Sequence, residues 1–75
     1  MAREYLQEEI EDILINIGEA RRTISGEFMS IGCLLGIGGN KFHIYSTKYP
    51  MKKLEELFKD ASNVVLHKSG KIKSF

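Results

Sequence analysis

The residue types best suited to covalent or acid–base chemistry are few in this chain. It holds one cysteine, Cys33, and two histidines, His43 and His67. A structural zinc site needs four convergent ligands, so we expect no metal and no cofactor. The alternation of the surrounding strand places Cys33 on the core side, where burial raises a thiol pKa and makes it a poor nucleophile. The sequence therefore favours a non-enzymatic protein.

A glycine-rich run from residue 32 to 41 invites comparison with phosphate-binding loops. A Walker loop needs glycine directly before lysine, then serine or threonine at the start of a helix. Here Asn40 separates Gly39 from Lys41, and Phe42 follows. Gly-Asn is instead typical of the two central residues of a tight hairpin turn. The run is interpreted as a β-hairpin.

Charge is divided between the two halves of the chain. Residues 1–40 carry three basic and seven acidic side chains, whereas residues 41–75 carry eight lysines and three acidic side chains. Clustered lysines with a nearby aromatic, Phe75, are compatible with binding phosphate groups of nucleic acid or of a nucleotide-like ligand. The anion-binding candidates are Lys41, Lys48, His67, Lys68, Lys71 and Lys73. Alternatively, the lysines only protect an edge strand from unwanted pairing.

Four residues are candidates for binding a partner protein, because the hairpin pattern places them opposite the core: Leu34, His43, Tyr45 and Tyr49. Gly32 and Gly36 lie on the same side. Glycine inside a strand marks a bulge or the close approach of a ligand or another backbone.

Hydrophobic spacing predicts the elements that position these residues. Apolar side chains at 6, 10, 13, 14 and 17 predict an amphipathic helix over residues 4–24, ending at Ser25–Gly26. Residues 27–47 are predicted as a hairpin. A two-residue turn at Gly39–Asn40 makes paired residue numbers sum to 79, so Leu35 faces Ile44.

The second half repeats this order. Pro50 is suited to the first turn of a helix over residues 50–61, and residues 64–75 are predicted as a second hairpin that pairs Leu66 with Ile72. The order α-β-β-α-β-β predicts an α+β domain over residues 1–75, with a four-stranded antiparallel sheet and two helices on one face. The predicted core is Ile13, Leu14, Leu35, Ile44, Leu54 and Leu57.

These features lead to two functional hypotheses. The first is a small interaction or regulatory protein that docks on a protein partner, with self-association to a dimer because a 75-residue chain has a marginal core. Surface left over for a dimer contact includes Ile15 and the face that carries Leu34, Tyr45 and Tyr49. The alternative is an anion-binding module. No apolar stretch is long enough to span a bilayer, and the N-terminus resembles no secretory signal, so we expect a cytoplasmic protein without membrane contact.

Overall fold

Residues 2–68, described by the computed structural model, form helices and strands in one α+β arrangement. In chain order the elements are α1 (Gln7–Asn16), β1 (Ala20–Arg22), β2 (Phe28–Ser30), β3 (Cys33–Gly38), β4 (Lys41–Ser46), α2 (Met51–Leu57) and β5 (Val64–His67). The strands form a two-stranded sheet, β1-β2, and a three-stranded sheet, β3-β4-β5. The predicted α+β class is confirmed, but the single four-stranded antiparallel sheet is wrong. Within these residues, no helix is long and apolar enough to cross a membrane.

Helix α1 ends eight residues earlier than predicted, at Asn16 instead of Ile24. Gly18 has a φ of +83°, a left-handed conformation that ends helices and that glycine adopts without strain. The amide of Glu19 then donates to the Leu14 carbonyl at 2.9 Å and closes the last turn. The predicted apolar stripe is confirmed at Ile10 and Leu14, which are fully buried, but Leu6, the residue before the helix, is 69% exposed.

The segment predicted as the end of the first helix is instead half of a small hairpin, residues 20–30, which we call the arm. Ala20 pairs with Ser30 and Arg22 with Phe28. Gly26 does take a left-handed φ, +89°, but in the turn of the arm and not at a helix end. Arg22 anchors the arm to α1 through ion pairs with Glu11 at 3.2 Å and Asp12 at 3.3 Å.

The hairpin formed by β3 and β4 has the predicted register over residues 33–46, but residues 28–30 of the predicted 27–47 hairpin pair with β1 instead. Cys33 pairs with Ser46, Leu35 with Ile44 and Ile37 with Phe42, and the ladder is continuous to the turn. Gly39 and Asn40 have φ angles of +60° and +61°, the positive values that a type I′ turn requires. Turn chemistry and apolar alternation therefore agree.

Strand β5 lies parallel to β4, which corrects the prediction of a purely antiparallel sheet. A parallel neighbour needs a crossover connection, and α2 lies between the two strands in sequence and provides one. Val64 pairs with Phe42 and Leu66 with Ile44, so β5 adds its apolar residues to the core side of β4. The predicted partner strand of β5, with the Leu66–Ile72 pair, lies outside the described residues.

Both helices and the central strand contribute to one core. Leu14, Ile44 and Leu54 are fully buried as predicted, and Ile13 and Leu35 pack against them partly buried. Leu57 is 36% exposed, contrary to the prediction. Helix α2 turns Leu54 and Phe58 inward instead, which are four residues apart and so share one face of a helix.

Candidate functional site

The three-stranded sheet leaves one face open to solvent, and this face holds the most chemically distinctive side chains of the molecule. Because side chains alternate along a strand, the residues opposite the buried Ile44 share this side. We call it the outer face and define it by Leu34, Gly36, His43, Tyr45, Val65 and His67. The register of β5 beside β4, with Val65 next to His43 and His67 next to Tyr45, brings the two halves of the face together.

The two histidines of the chain are hydrogen-bonded to each other on the outer face. His43 Nδ1 and His67 Nε2 lie 2.9 Å apart, and His43 Nε2 lies 3.0 Å from the carbonyl oxygen of Gly38. A carbonyl only accepts, so His43 Nε2 carries a hydrogen and donates it to Gly38. In neutral His43 the Nδ1 atom is then the acceptor, and His67 Nε2–H donates to it. The chain of bonds fixes the tautomer and the orientation of His43.

The ring of His67 also stacks on Tyr45. The ring centroids are 4.2 Å apart and the planes are inclined by only 15°. The ring of His43 lies 5.1 Å from His67, tilted by 33°. The three rings form one contiguous aromatic surface in which each ring orients the next. Such a surface is suited to recognition through apolar and stacking contacts, since Tyr and other flat rings dominate the energetics of interfaces.

Three of the four predicted partner-binding residues belong to the outer face. Leu34 and Tyr45 are 40% and 37% exposed, and His43 is half-buried beside them. Tyr49 is not on this face, so its predicted position opposite the core was wrong. It lies beyond the end of β4, where it packs partly buried against the core and its carbonyl oxygen accepts a hydrogen bond from the Ser46 hydroxyl. The chain bends after Ser46, which ends the alternation on which the prediction relied.

The anion-binding candidates do not all gather in one place. Lys41 is exposed at the start of β4 and Lys48 is exposed two residues beyond its end, and a six-residue strand spans about 17 Å. Lys68 is exposed directly after β5, at the same end of the sheet as Lys48, because His67 pairs with Tyr45 in parallel. His67 belongs to the ring cluster and not to a loop, while Lys71 and Lys73 lie outside the described residues. Among the residues that alternate onto the outer side of the three strands, the one formal charge is that of Lys41.

Cys33 lies on the opposite side of the sheet from both histidines. Cys33 is only 1% exposed. This burial, together with the nearby Glu19 carboxylate, raises the pKa of the Cys33 thiol to about 11. The thiol is therefore protonated at neutral pH, and no imidazole on the outer face can reach it through the sheet. This placement agrees with the expectation that Cys33 behaves as a small core residue.

Two parts of the exposed surface were not predicted from the sequence. Val65 had no assigned role and His67 was assigned to anion binding, but both join the outer face because β5 is parallel to β4. The strand–helix–strand order of residues 41–67 could have predicted this pairing, because such a unit brings two parallel strands together. The second part is the arm, whose turn exposes the whole side chain of Ile24. Its signal was Gly18, a helix stop within the predicted helix.

Comparison with known proteins adds no relative. No protein family, curated protein or solved structure matches this chain. Within residues 2–68, no three side chains of the His, Cys, Asp and Glu types converge as ligands for a metal ion. The outer face is therefore the candidate functional site.

Proposed function

We propose that this chain is a non-enzymatic interaction protein that docks on a partner protein through the outer face. The observation that carries the proposal is the contiguous surface of Tyr45, His67 and His43, bordered by the exposed Leu34. Protein interfaces concentrate their binding energy in a few aromatic side chains that neighbouring apolar groups shield from water. His67 lies between the two other rings, and Tyr45 is the most exposed of the three.

The chemistry of the face defines the partner. The rings are held by one another and by the Gly38 carbonyl, so little side-chain freedom is lost on binding. None of the residues on the outer side of the three strands is acidic, and Lys41 lies at one end of it. The complementary partner has an apolar or aromatic centre with carboxylates at its rim.

The test is affinity capture from the native host with the wild-type chain and two variants. Tyr45→Ser removes the most exposed of the three rings, and Ile24→Ser removes a fully exposed apolar side chain outside the outer face. Loss of one interface aromatic typically costs about 2 kcal/mol or more, roughly thirtyfold in affinity. Proteins enriched by the wild type and by the Ile24 variant, but depleted at least tenfold by Tyr45→Ser, support the proposal. Equal recovery with all three chains contradicts it.

A second candidate function is the binding of single-stranded nucleic acid or a nucleotide through the same rings. Bases stack on aromatic and imidazole planes, and lysines supply the contacts to phosphate. The observation in its favour is the exposure of Lys41, Lys48 and Lys68 around the sheet. We place it second because Lys41 and Lys48 lie at opposite ends of β4, whereas the rings are contiguous.

Fluorescence anisotropy with labelled single-stranded DNA and RNA separates the two functions. Binding through phosphate contacts weakens steeply with salt, so measurements at low and physiological salt are compared. Salt-dependent binding that Tyr45→Ser abolishes would favour the nucleic-acid function. Absence of binding at low salt would exclude it and leave the protein-docking function. A panel of nucleotides in a thermal-shift assay tests the small-ligand form.

A further inference from the structure

The β3 edge of the three-stranded sheet is another candidate interaction surface of the described residues. Strand β3 pairs with β4 on one side, and within residues 2–68 no strand pairs with its other side. In a hairpin with a two-residue turn, the two residues that flank the turn exchange main-chain hydrogen bonds, and so does every second pair after them. Here these pairs start with Gly38 and Lys41 and include Gly36 with His43. The Thr47 amide, which donates to the Gly32 carbonyl at 2.9 Å, follows the same phase. The main-chain groups of Leu35 and Ile37 therefore point outward from the edge.

This edge lacks the devices that normally prevent strands from pairing. Natural edge strands carry lysine, proline, inward-pointing charge or a bulge. The sequence of β3 is Cys-Leu-Leu-Gly-Ile-Gly, which contains neither charge nor proline. Its pairing with β4 is continuous over the whole strand, so it has no bulge. Apolar side chains are also exposed on both sides of the strand, with Leu34 40% and Ile37 64% exposed.

We propose that β3 pairs with β3 of a second copy of this chain, antiparallel and about a two-fold axis at Gly36. Another extended strand can pair with all of the outward main-chain groups of this edge, and an antiparallel strand is its own complement under two-fold symmetry. Leu35 then forms hydrogen-bonded pairs with Ile37 of the second copy, and Ile37 with its Leu35. The result is a continuous sheet in the order β5-β4-β3-β3-β4-β5.

Burial selects this register over its neighbour. A two-fold axis at Leu35 would require Cys33 to pair with Ile37 of the second copy, but Cys33 is only 1% exposed, so its backbone is already covered. With the axis at Gly36, pairing needs only residues 34–38. Leu34 then lies opposite Gly38 of the second copy, and Gly36 lies opposite Gly36. The two glycines gain the role that glycine in a strand commonly has, which is to admit another backbone closely.

Self-association is measured by sedimentation equilibrium at micromolar concentrations. We expect the wild type to have about twice the monomer mass of 8.5 kDa. Ile37→Lys adds the charge that protects natural edges and should weaken the dimer at least tenfold. Ile24→Lys is the matched control, because it introduces the same charge at an equally apolar and more exposed site in the arm. Circular dichroism of both variants serves as the check that each keeps the fold.

A cysteine pair tests the register. In a Cys33→Ala background, Gly36→Cys places two thiols across the axis in a non-hydrogen-bonded pair, with Cα atoms about 4.5 Å apart, within the range of a disulfide. A Cβ at Gly36 or Gly38 makes only ordinary contacts, at 3.9 Å from Tyr45 and 3.8 Å from His43 respectively. Gly36→Cys should therefore form a disulfide-linked dimer on mild oxidation. Gly38→Cys, which faces Leu34, should not.

Three results would overturn the proposal: a monomeric wild type, a dimer that Ile37→Lys leaves intact, or equal cross-linking at positions 36 and 38. The dimer does not depend on the docking function. Tyr45→Ser should abolish partner capture and leave the sedimenting mass unchanged, whereas Ile37→Lys should change the mass. Failure of either proposal is therefore visible separately.

Discussion

The side chain of Asn63 helps to hold the N-terminal segment against the rest of the molecule, beside the main-chain hydrogen bonds that Arg3 makes with Asp60 and Ser62. Its Nδ2 donates to the Tyr5 carbonyl at 2.8 Å, and its Oδ1 accepts from the Tyr5 amide at 2.9 Å. The Asn63 side chain thus makes the two hydrogen bonds to the Tyr5 main chain that a neighbouring strand would otherwise make. The side chain of Tyr5 is 7% exposed and packs edge-on against Phe58, with ring centroids 5.6 Å apart. Asn63→Ala removes both hydrogen bonds while leaving the aromatic contact in place.

The expected loss follows from what the bonds contribute. A neutral hydrogen bond stabilises a protein by about 0.5–1.5 kcal/mol net, so two give about 1–3 kcal/mol. Because the Tyr5 backbone is partly buried and loses both partners, we expect the upper half of that range. For a domain of this size each kcal/mol lowers Tm by about 4–8 °C. The fall in Tm for Asn63→Ala should therefore be roughly 8–24 °C.

Urea and thermal unfolding followed by circular dichroism measure this change, with Ser62→Ala as control. The Ser62 hydroxyl donates to the Arg3 carbonyl of the same segment at 3.2 Å, but this bond is exposed. Its loss should change the free energy of unfolding by less than about 0.5 kcal/mol. Equal effects of the two substitutions would refute the reasoning, because the buried side-chain bridge would then contribute no more than an exposed contact.

Two further predictions concern Cys33 and Gly18. Because burial raises the Cys33 thiol pKa from 9.0 to about 11, the folded state keeps a proton that the unfolded state releases between these values. The free energy of unfolding should therefore fall as pH rises from about 9 to about 11. Urea melts at several pH values measure this fall, which should be absent in Cys33→Ala. Gly18→Ala should lower the free energy of unfolding by about 1–2 kcal/mol, because the φ of +83° is strained for alanine. No steric clash adds to this cost, since a Cβ would meet no atom within 4 Å. Gly18→Asn should cost less in the same melts, and equal stability of all three chains would contradict this.

The part of the fold that the sequence predicted best is the hairpin of β3 and β4. Two independent signals agree there: the positive φ angles supplied by Gly39–Asn40, and an apolar alternation that a slip of one residue would reverse. Local chemistry and burial therefore specify the same pairs. This is also why Leu34, His43 and Tyr45 were correctly placed on one face.

Prediction failed where a local signal competed with a longer pattern. Apolar residues at helical spacing up to Ile17, followed by two arginines, suggested one long helix. Gly18 outweighs that pattern, because it takes the left-handed conformation and releases residues 20–30 to form the arm. Leu57 was misplaced for a related reason. Spacing alone does not show which of two adjacent apolar residues, Leu57 or Phe58, a short helix turns toward the core.

The parallel placement of β5 was a non-local outcome. Val64 and Leu66 could bury themselves against a following strand or against β4, and the hydrophobic pattern is the same for both. The structure uses β4, because α2 provides the crossover and β4 already presents Phe42 and Ile44 on the core side. The meeting of His67 with His43 and Tyr45 follows from this pairing. No spacing within either strand contains that information.

The docking face and the self-pairing edge depend on the same register. A slip of one residue between β3 and β4 reverses one strand relative to the other. If β4 is reversed, Tyr45 and His43 turn toward the core and the ring cluster is lost. If β3 is reversed instead, its inward and outward main-chain groups exchange, so Leu34 and Gly36 point outward at the edge in place of Leu35 and Ile37. The apolar pairs Leu35–Ile44 and Ile37–Phe42 resist such a slip, since it would expose them. The hairpin therefore fixes both surfaces through the packing of its opposite side, and variants of Tyr45 or Ile37 can alter one surface without displacing the other.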